Sequence, residues 1–483
     1  MLTDHGDATR PPDPPGYING VLILDGVEIS TDHGHLVALD MPRAPYPLGG
    51  SAEAVVEDVH RLGGFAIAAH PDSPKPTLRW TDNAAPIDGI EWINTDSEWR
   101  DETRGSLVRA GLAYFFGGGA ALGSLLDRPA TLDRWNTLSG RGPVVALAAA
   151  DAHGGPGERA EDQDRTMFGT IGIPSYEASF RALSNRVVLD KPLSGDAAAD
   201  AQAIYGAVRA GRLFSSIDSV ATPALLDFRF ESGLERVPMG SVLEGDADGA
   251  LVARVAAPDG SELALVRDGR VVARTQGNEL RHVLTAANGS YHVEVLVPGA
   301  PGTPAVPWLV SNGIGFFRDR ASGLGGSRAA QTTGVPATGA AAAPFPWRFE
   351  KDPTSTSRLR TGDTSATLEF RLGDGERAGQ FVAMATDLQR HEFATIDLTL
   401  AGDRPMRVSV QLRTADGRRW GRSYFVDPAG SSLQVPVAAL APIGHDGRLT
   451  STEATSLLLV IDLTNAGPGR TGALTVRSSA FIK

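Results

Sequence analysis

The chain has 483 residues, of which 45 are lysine or arginine and 57 are aspartate or glutamate, so its formal net charge is −12. This acidic balance gives no electrostatic support for a nucleic-acid partner or for an anionic membrane surface. The absence of cysteine excludes disulfides and thiolate metal sites, so any metal must be held by histidine and carboxylate groups. The length predicts about three domains. No apolar run reaches the roughly 18 residues that predict a membrane span.

The first residues predict the end of a strand rather than a whole one. Only two residues precede the polar sequence Thr3-Asp4-His5, whereas strands usually have about five to six residues. We therefore expect that the chain begins inside a structural element. A second apolar run, residues 21–29, carries Glu28. The turn residues Asp32-His33-Gly34 follow it and predict a hairpin that brings His35 back towards Glu28.

Strands and helices then alternate. Ser51 is a helix cap, and the apolar spacing after it predicts a helix that ends at Gly63-Gly64. Short apolar runs at 65–69, 87–93 and 144–150 predict buried strands, and the segments 101–113, 132–138 and 200–214 predict helices. This spacing favours parallel strand–helix units.

Histidine and carboxylate residues concentrate at the predicted strand ends. His5, His33, His35, His70 and His153 lie there or in the loops directly after. Asp151 and His153 follow a buried strand and project to the same side, because side chains alternate along an extended chain. Each of these residues, taken alone, is explained equally well as a turn cap or as a solvated side chain. For Asp151, capping the next turn is the alternative to a role as a ligand. Taken together with Glu28, they predict a site for Zn, Mn or Fe, the metals that imidazole and carboxylate groups suit.

Six short motifs occur in an order that resembles the PHP (polymerase and histidinol phosphatase) superfamily: TDH at 3–5, GVEIS at 26–30, GH at 34–35, AHP at 69–71, IEWIN at 90–94 and DAH at 151–153. The GVEIS and GH pair is most similar to its CehA/McbA-type metallohydrolases. The resemblance implies a distorted β/α barrel that holds divalent metal ions. It also implies that a metal-bound hydroxide attacks a phosphoester or a related ester or amide bond of a small-molecule substrate.

The resemblance also implies roles for individual residues. It makes His5, Glu28, His70, Asp151 and His153 the metal ligands. It makes His35 the catalytic candidate, a pocket histidine that faces the substrate or supports a ligand.

One part of the family pattern is missing. The family has a first strand with His-x-His and a nearby aspartate, and nothing of that kind precedes Thr3. We therefore expect an incomplete barrel with a truncated N-terminus and an impaired hydrolase, or a catalytically vestigial copy. The localisation is unassigned, and it would be extracytoplasmic if an upstream segment is missing.

The second half of the chain predicts only β structure. Short alternating runs separated by glycine- and aspartate-rich turns predict an immunoglobulin-like β-sandwich at 223–318, after a PHP-like domain at 1–222. Residues 319–345 are poor in large apolar groups and predict a flexible linker. Eight further strands predict a jelly-roll-like sandwich at 346–483. Its pattern of short alternating strands resembles that of galactose-binding or carbohydrate-binding domains. Trp347, Trp420 and Tyr424 offer a sugar-stacking platform there, or they are core aromatics.

The sequence thus predicts a multidomain α/β plus all-β protein. Its first expected function is metal-dependent hydrolysis. The alternative is a catalytically vestigial surface or glycan-binding protein of several modules, with carbohydrate as a partner of the C-terminal sandwich.

Overall fold

A computed structural model describes residues 1–114, 116–152, 175–318, 346–375, 379–388 and 392–482. The fold is predominantly β, with 43% strand and 15% helix, and it contains several sandwich-like sheets. The chain divides into two compact units. Unit 1 comprises Met1–His5, Pro12–Met41 and Gly63–Ser327, and unit 2 comprises Gly6–Pro11, Pro42–Leu62 and Arg328–Lys483. The predicted linker at 319–345 lies outside the described residues.

Unit 1 begins with a short hairpin and a five-stranded sheet. The hairpin consists of β1 (Gly16–Ile18) and β2 (Val21–Ile23). The sheet has the order β3-β4-β5-β6-β7, and its strands are β3 (Gly26–Thr31), β4 (Gly34–Leu39), β5 (Phe65–Ala68), β6 (Gly89–Asn94) and β7 (Val145–Ala149).

The pairing in this sheet is mixed. The β3–β4 and β4–β5 pairs are antiparallel, and the β5–β6 and β6–β7 pairs are parallel. The predicted hairpin between β3 and β4 is confirmed. The expected parallel units hold only for β5 to β7, because the tight turn after β3 forces an antiparallel return. Among the described strands, hydrogen bonding leaves this sheet open rather than closed into a barrel.

Short helices follow the strands. They are α1 (Ala52–Arg61), α2 (Thr95–Arg100), α3 (Arg104–Tyr114), α4 (Gly118–Gly123), α5 (Thr131–Ser139), α6 (Tyr176–Phe180) and α7 (Ala197–Arg209). The helix predicted at 101–113 is preceded by a separate one, α2, because the side chain of Asn94 accepts a hydrogen bond from the Ser97 amide and starts a helix directly after β6. In α7, Ala201, Tyr205 and Val208 pack in the apolar cluster of the sheet. No helix in the described part of the chain is long and apolar enough to cross a membrane.

The remaining strands of unit 1 form two further sheets. One has the order β11-β10-β13-β16, and the other has the order β12-β19-β17-β18-β9-β8 with β14 and β15 attached at β17. The strands are β8 (Ser184–Val187), β9 (Leu213–Ser216), β10 (Leu225–Ser232), β11 (Glu235–Pro238), β12 (Val242–Glu244), β13 (Ala247–Ala256), β14 (Glu262–Arg267), β15 (Arg270–Gln276), β16 (Glu279–Ala287), β17 (Gly289–Leu296), β18 (Leu309–Ser311) and β19 (Ile314–Phe317). Because β9 pairs with β18, this second sheet continues across the predicted boundary at 222/223.

Unit 2 is a β-sandwich of two sheets. Their orders are β20-β23-β29-β25-β26-β28 and β21-β22-β30-β24-β27. The strands are β20 (Arg348–Lys351), β21 (Thr356–Thr361), β22 (Ala366–Arg371), β23 (Phe381–Asp387), β24 (Thr395–Gly402), β25 (Met406–Thr414), β26 (Arg419–Val426), β27 (Ser431–Pro436), β28 (Ala441–Pro442), β29 (Ala454–Asp462) and β30 (Thr471–Ile482). All eight predicted strands are present, and the structure adds β20, β21 and β28.

The aromatic residues that could have formed a sugar-stacking platform belong to the interior of this sandwich. Trp347 and Trp420 are 7% and 1% exposed and lie in its apolar core, and Tyr424 packs against the same core. The platform interpretation is therefore wrong for the two tryptophans, since a stacking surface has to face solvent. Their bulk fills the space between the sheets.

Unit 2 also contains α1, and a buried arginine joins this helix to the sandwich. The Nε of Arg407, on β25, donates to Asp58 at 2.7 Å, and its Nη2 donates to the carbonyl of Ala54 at 2.8 Å. Arg407 and Asp58 are 3% and 1% exposed. Tyr46 donates a further hydrogen bond of 2.8 Å to Asp58. A residue pair separated by 349 positions therefore fixes an early helix to a late sheet.

We expect that Arg407→Met destabilises unit 2 by about 3 kcal/mol. It removes one of the two guanidinium partners of the buried Asp58 and leaves Arg61, at 2.7 Å, as the other. Arg422→Met is the matched control. Arg422 pairs with Glu53 on the same helix but is partly exposed, so its loss should cost less than about 1 kcal/mol. Denaturant unfolding of both variants measures the difference. Equal costs would show that the buried pair is not the main tie.

Candidate metal centre

The carboxylate of Glu28 lies at the centre of the candidate site. Glu28 is on β3 and Ser30 follows it on the same face of the strand, because side chains alternate. The β3–β4 register places His35 opposite Ser30. The Nδ1 of His35 is therefore 2.6 Å from the Oε1 of Glu28, and its Nε2 is 3.3 Å from the Ser30 hydroxyl. Both Glu28 and His35 are buried.

Two more histidines approach the same oxygen. His70 follows β5, and its Nε2 is 2.8 Å from the Oε1 of Glu28. His5 pairs with Glu28 in an isolated parallel bridge, which brings its Nδ1 to 3.9 Å from that oxygen. The ring of His35 lies between the other two, with centroid distances of 5.1 Å to His5 and 5.2 Å to His70. Three imidazoles therefore surround one carboxylate oxygen.

A second polar group lies at the ends of β6 and β7. The Oε2 of Glu91 accepts hydrogen bonds from the backbone amide of His70 at 2.7 Å and from the Nδ2 of Asn94 at 2.9 Å. The same Nδ2 is 3.2 Å from the Oδ2 of Asp151. Thr95 donates a hydrogen bond to the carbonyl of Ala150, directly before Asp151. His70 and Asp151 thus belong to one connected network.

Burial and charge oppose each other at Glu28. Burial alone would raise the pKa of Glu28, but the hydrogen bonds from His35 and His70 outweigh it and hold the pKa well below its ordinary value. Glu28 is therefore a carboxylate in the folded protein.

The other two groups have raised pKa values. Burial would lower the pKa of His70, but the hydrogen bond to Glu28 and the charges of Glu91, Glu28 and Asp151 raise it to about 9. Burial raises the pKa of Glu91 to about 7, and the charge of Asp151 acts in the same direction. Perturbed ionisable groups are concentrated here, as is common at functional sites.

The residues predicted from the sequence come together only in part. His5, Glu28 and His70 converge, and His35 joins them as a direct neighbour of the carboxylate, 2.6 Å from it. Asp151 lies in the network of Asn94, while His153 lies outside the described residues. His33 is exposed and contacts Thr81 instead.

Glu91 and Asn94 are the residues of this network that the sequence analysis does not single out. They lie in the predicted strand at 87–93 and directly after it, and their polarity in a buried segment is the signal that could have found them.

The donor set fits a divalent ion. One ligand atom each from His5, Glu28 and His35 lies within 4.8 Å of the others. The Nδ1 of His70 is buried and has no hydrogen-bond partner among the described residues. Imidazole nitrogens and a carboxylate oxygen suit Zn, Mn or Fe. Because metal ligands must offer deprotonated nitrogen and oxygen atoms, metal binding at this cluster would be accompanied by proton release.

Comparisons with known proteins give structural neighbours only. No family model matches the chain, and no curated protein matches it. The family 11 carbohydrate-binding module of a Clostridium thermocellum cellulosomal cellulase is 10% identical, with a TM-score of 0.24 over 30% of this chain and 96% of that one. The agarase AgWH50C is 8% identical, with a TM-score of 0.23 over 29% of this chain and 23% of that one. TmCBM61, solved with β-1,4-galactotriose, is 7% identical, with a TM-score of 0.20 over 28% and 88%.

These values do not establish a shared fold. The PHP resemblance stays a prediction.

We expect Glu28→Gln to lower the pKa of His70 from about 9 towards its ordinary range in protein stripped of metal by EDTA. The neutral amide cannot favour the protonated imidazole as the carboxylate does. The raised pKa of His70 contributes stability that is fully present below the unfolded value of 6.5 and is lost as the pH rises through about 9. The stability gap between the parent and Glu28→Gln should therefore shrink over that range.

NMR titration of the His70 ring measures this pKa. Glu98→Gln is the matched control, because Glu98 is also buried but accepts a hydrogen bond from the backbone amide of Asp127. A His70 titration unchanged by Glu28→Gln would contradict the assigned pairing.

Proposed function

We propose that unit 1 binds a divalent metal ion at Glu28, His35, His70 and His5, and that it acts as a metal-dependent hydrolase of the PHP type. One observation carries the proposal: a single buried carboxylate oxygen of Glu28 lies 2.6 and 2.8 Å from two imidazole nitrogens. Clusters of this kind are costly to bury without a compensating function. The ordered motifs of the sequence support the same proposal.

Each residue has a distinct task in this proposal. Glu28 supplies negative charge at the centre and lowers the cost of placing a cation there. The Ser30 hydroxyl contacts the far nitrogen of His35 and helps to fix its ring and tautomer. A bound divalent ion supplies Lewis acidity and activates water for attack on a phosphoester or ester.

The site also has an accessible side. The side chain of His5 is 57% exposed, whereas those of His35 and His70 are 9% and 5% exposed. A substrate would therefore approach from the side of His5, while His35 and His70 hold their positions from within. We place the phosphoester or ester of a small molecule on that side.

Metal content tests the proposal directly. The full chain should take up Zn²⁺ or Mn²⁺, and the double variant His70→Ala with Asp151→Ala should lose that uptake, because it removes one imidazole of the cluster and the carboxylate of Asp151. His282→Ala, on β16, is the control for loss of a histidine outside the cluster. Elemental analysis after dialysis provides the measurement. Equal metal content in the parent and the double variant would refute the site.

Turnover is a separate test. The metal-loaded parent should hydrolyse a p-nitrophenyl phosphate ester, and the double variant should not. Metal binding without any turnover would support the metal site but contradict the proposed hydrolase activity.

We propose, as a second function, that the unit 2 sandwich binds carbohydrate on the outer face of its five-stranded sheet. That face carries paired hydroxyls: Thr367 and Thr475 are 2.9 Å apart, and Ser478 donates to Thr399 at 2.8 Å. Asp397, two residues before Thr399 on β24, adds a half-buried carboxylate to the same face of the strand. Hydroxyl and carboxylate groups are suitable hydrogen-bond partners for the hydroxyls of a sugar.

We expect Asp397→Ala to weaken binding of mixed-linkage β-glucan or agarose oligosaccharides about tenfold, a loss of about 1.4 kcal/mol. Asp363→Ala is the control, since Asp363 is an exposed aspartate in the turn between β21 and β22. Calorimetry with each glycan measures the affinities. Failure of the parent to bind either glycan would contradict this function for both sugar classes.

A further inference from the structure

Two polar side chains at the end of β6 join the ends of its neighbouring strands. The Oε2 of Glu91 accepts a hydrogen bond from the backbone amide of His70, which follows β5. The Nδ2 of Asn94 donates both to Glu91 and to Asp151, which follows β7, and so forms a bridge between the two carboxylates. Asn94 is 4% exposed, so this bridge is shielded from water. Strands β5, β6 and β7 are thus connected beyond their ladder hydrogen bonds at the end where the histidines gather.

The two residues that this bridge holds have unusual backbones. His70 has a φ of 29° and Asp151 has a φ of 41°. Residues other than glycine rarely adopt these positive values, which are strained and persist only where the surroundings enforce them. Glu91 and Asn94 supply contacts that enforce them, one on the amide of His70 and one on the carboxylate of Asp151.

Asn94 has two separable tasks. Its Oδ1 accepts a hydrogen bond from the Ser97 amide at 3.1 Å and begins α2. Its Nδ2 makes the bridge. Serine also caps helices well but is too short to reach both carboxylates. Substitution by serine therefore separates the cap from the bridge.

We propose that Glu91 and Asn94 are positioning residues that hold the imidazole of His70 and the carboxylate of Asp151 in one fixed geometry for the same divalent ion. This inference rests on the proposed metal site. It adds that the affinity of the site depends on two residues that do not themselves bind the ion.

The test is a calorimetric titration of the metal-free full chain with Zn²⁺ and with Mn²⁺ alone. Glu91→Leu and Asn94→Ser should each weaken metal affinity by about 10- to 100-fold, the usual effect of losing a group that orients a ligand. Glu91→Gln should recover most of the affinity, because one amide oxygen can accept both hydrogen bonds. A role confined to fold stability does not predict this rescue.

Asn312→Ala is the matched control. The side chain of Asn312 also bonds to β7, but at its other end, where it donates to the carbonyl of Ala146 at 3.0 Å and accepts from the Ala146 amide at 2.8 Å. Its loss should lower the melting temperature of the metal-free protein and leave metal affinity unchanged. If Glu91→Leu does not fold, Asn94→Ser and Glu91→Gln decide the question.

The outcomes are distinguishable. A parent that binds neither ion overturns the metal site and this role together. A parent that binds while Asn94→Ser and Glu91→Leu bind equally well overturns only the positioning role. Equal weakening by Asn312→Ala would also overturn it, because general loosening of β7 would then explain the effect.

Discussion

The site in unit 1 depends on one buried negative charge. Glu28 lies on a strand whose neighbours bring imidazoles to it from both directions of the sequence, and its carboxylate is satisfied only because they arrive. A buried carboxylate without such partners would be strongly destabilising. The histidines at the strand ends are therefore a structural requirement of the folded site as well as its chemistry.

Part of this arrangement follows from local sequence rules. The turn residues after β3 predict a hairpin, and strand periodicity then places Glu28 and His35 on one face. The apolar run before His70 predicts a strand end. The positions of Glu91 and Asn94 do not follow in the same way, because the hydrogen bond between them is local to β6 but the groups that they hold are not. The backbone amide of His70 follows β5, and the carboxylate of Asp151 follows β7.

The organisation of unit 2 shows the same limit on a larger scale. Its eight main strands can be predicted from alternation and turns, since those signals are local. The inclusion of α1 in unit 2 cannot be predicted from local signals, because the ion pair between Asp58 and Arg407 joins positions 349 residues apart. Burial also separates two interpretations that composition leaves open: Trp347 and Trp420 fill the core instead of facing a ligand. The hydroxyl groups and Asp397 then remain as the polar surface on which a glycan could bind.

The central claim is that Glu28 and its histidines hold a metal ion. X-ray absorption at the Zn K edge of the zinc-loaded full chain tests it most directly, because imidazole ligands give a characteristic multiple-scattering pattern. The account predicts a shell of nitrogen and oxygen ligands at about 2.0–2.2 Å that includes imidazoles, and fewer imidazoles in His70→Ala. A spectrum of oxygen ligands alone, unchanged by His70→Ala, would contradict the account.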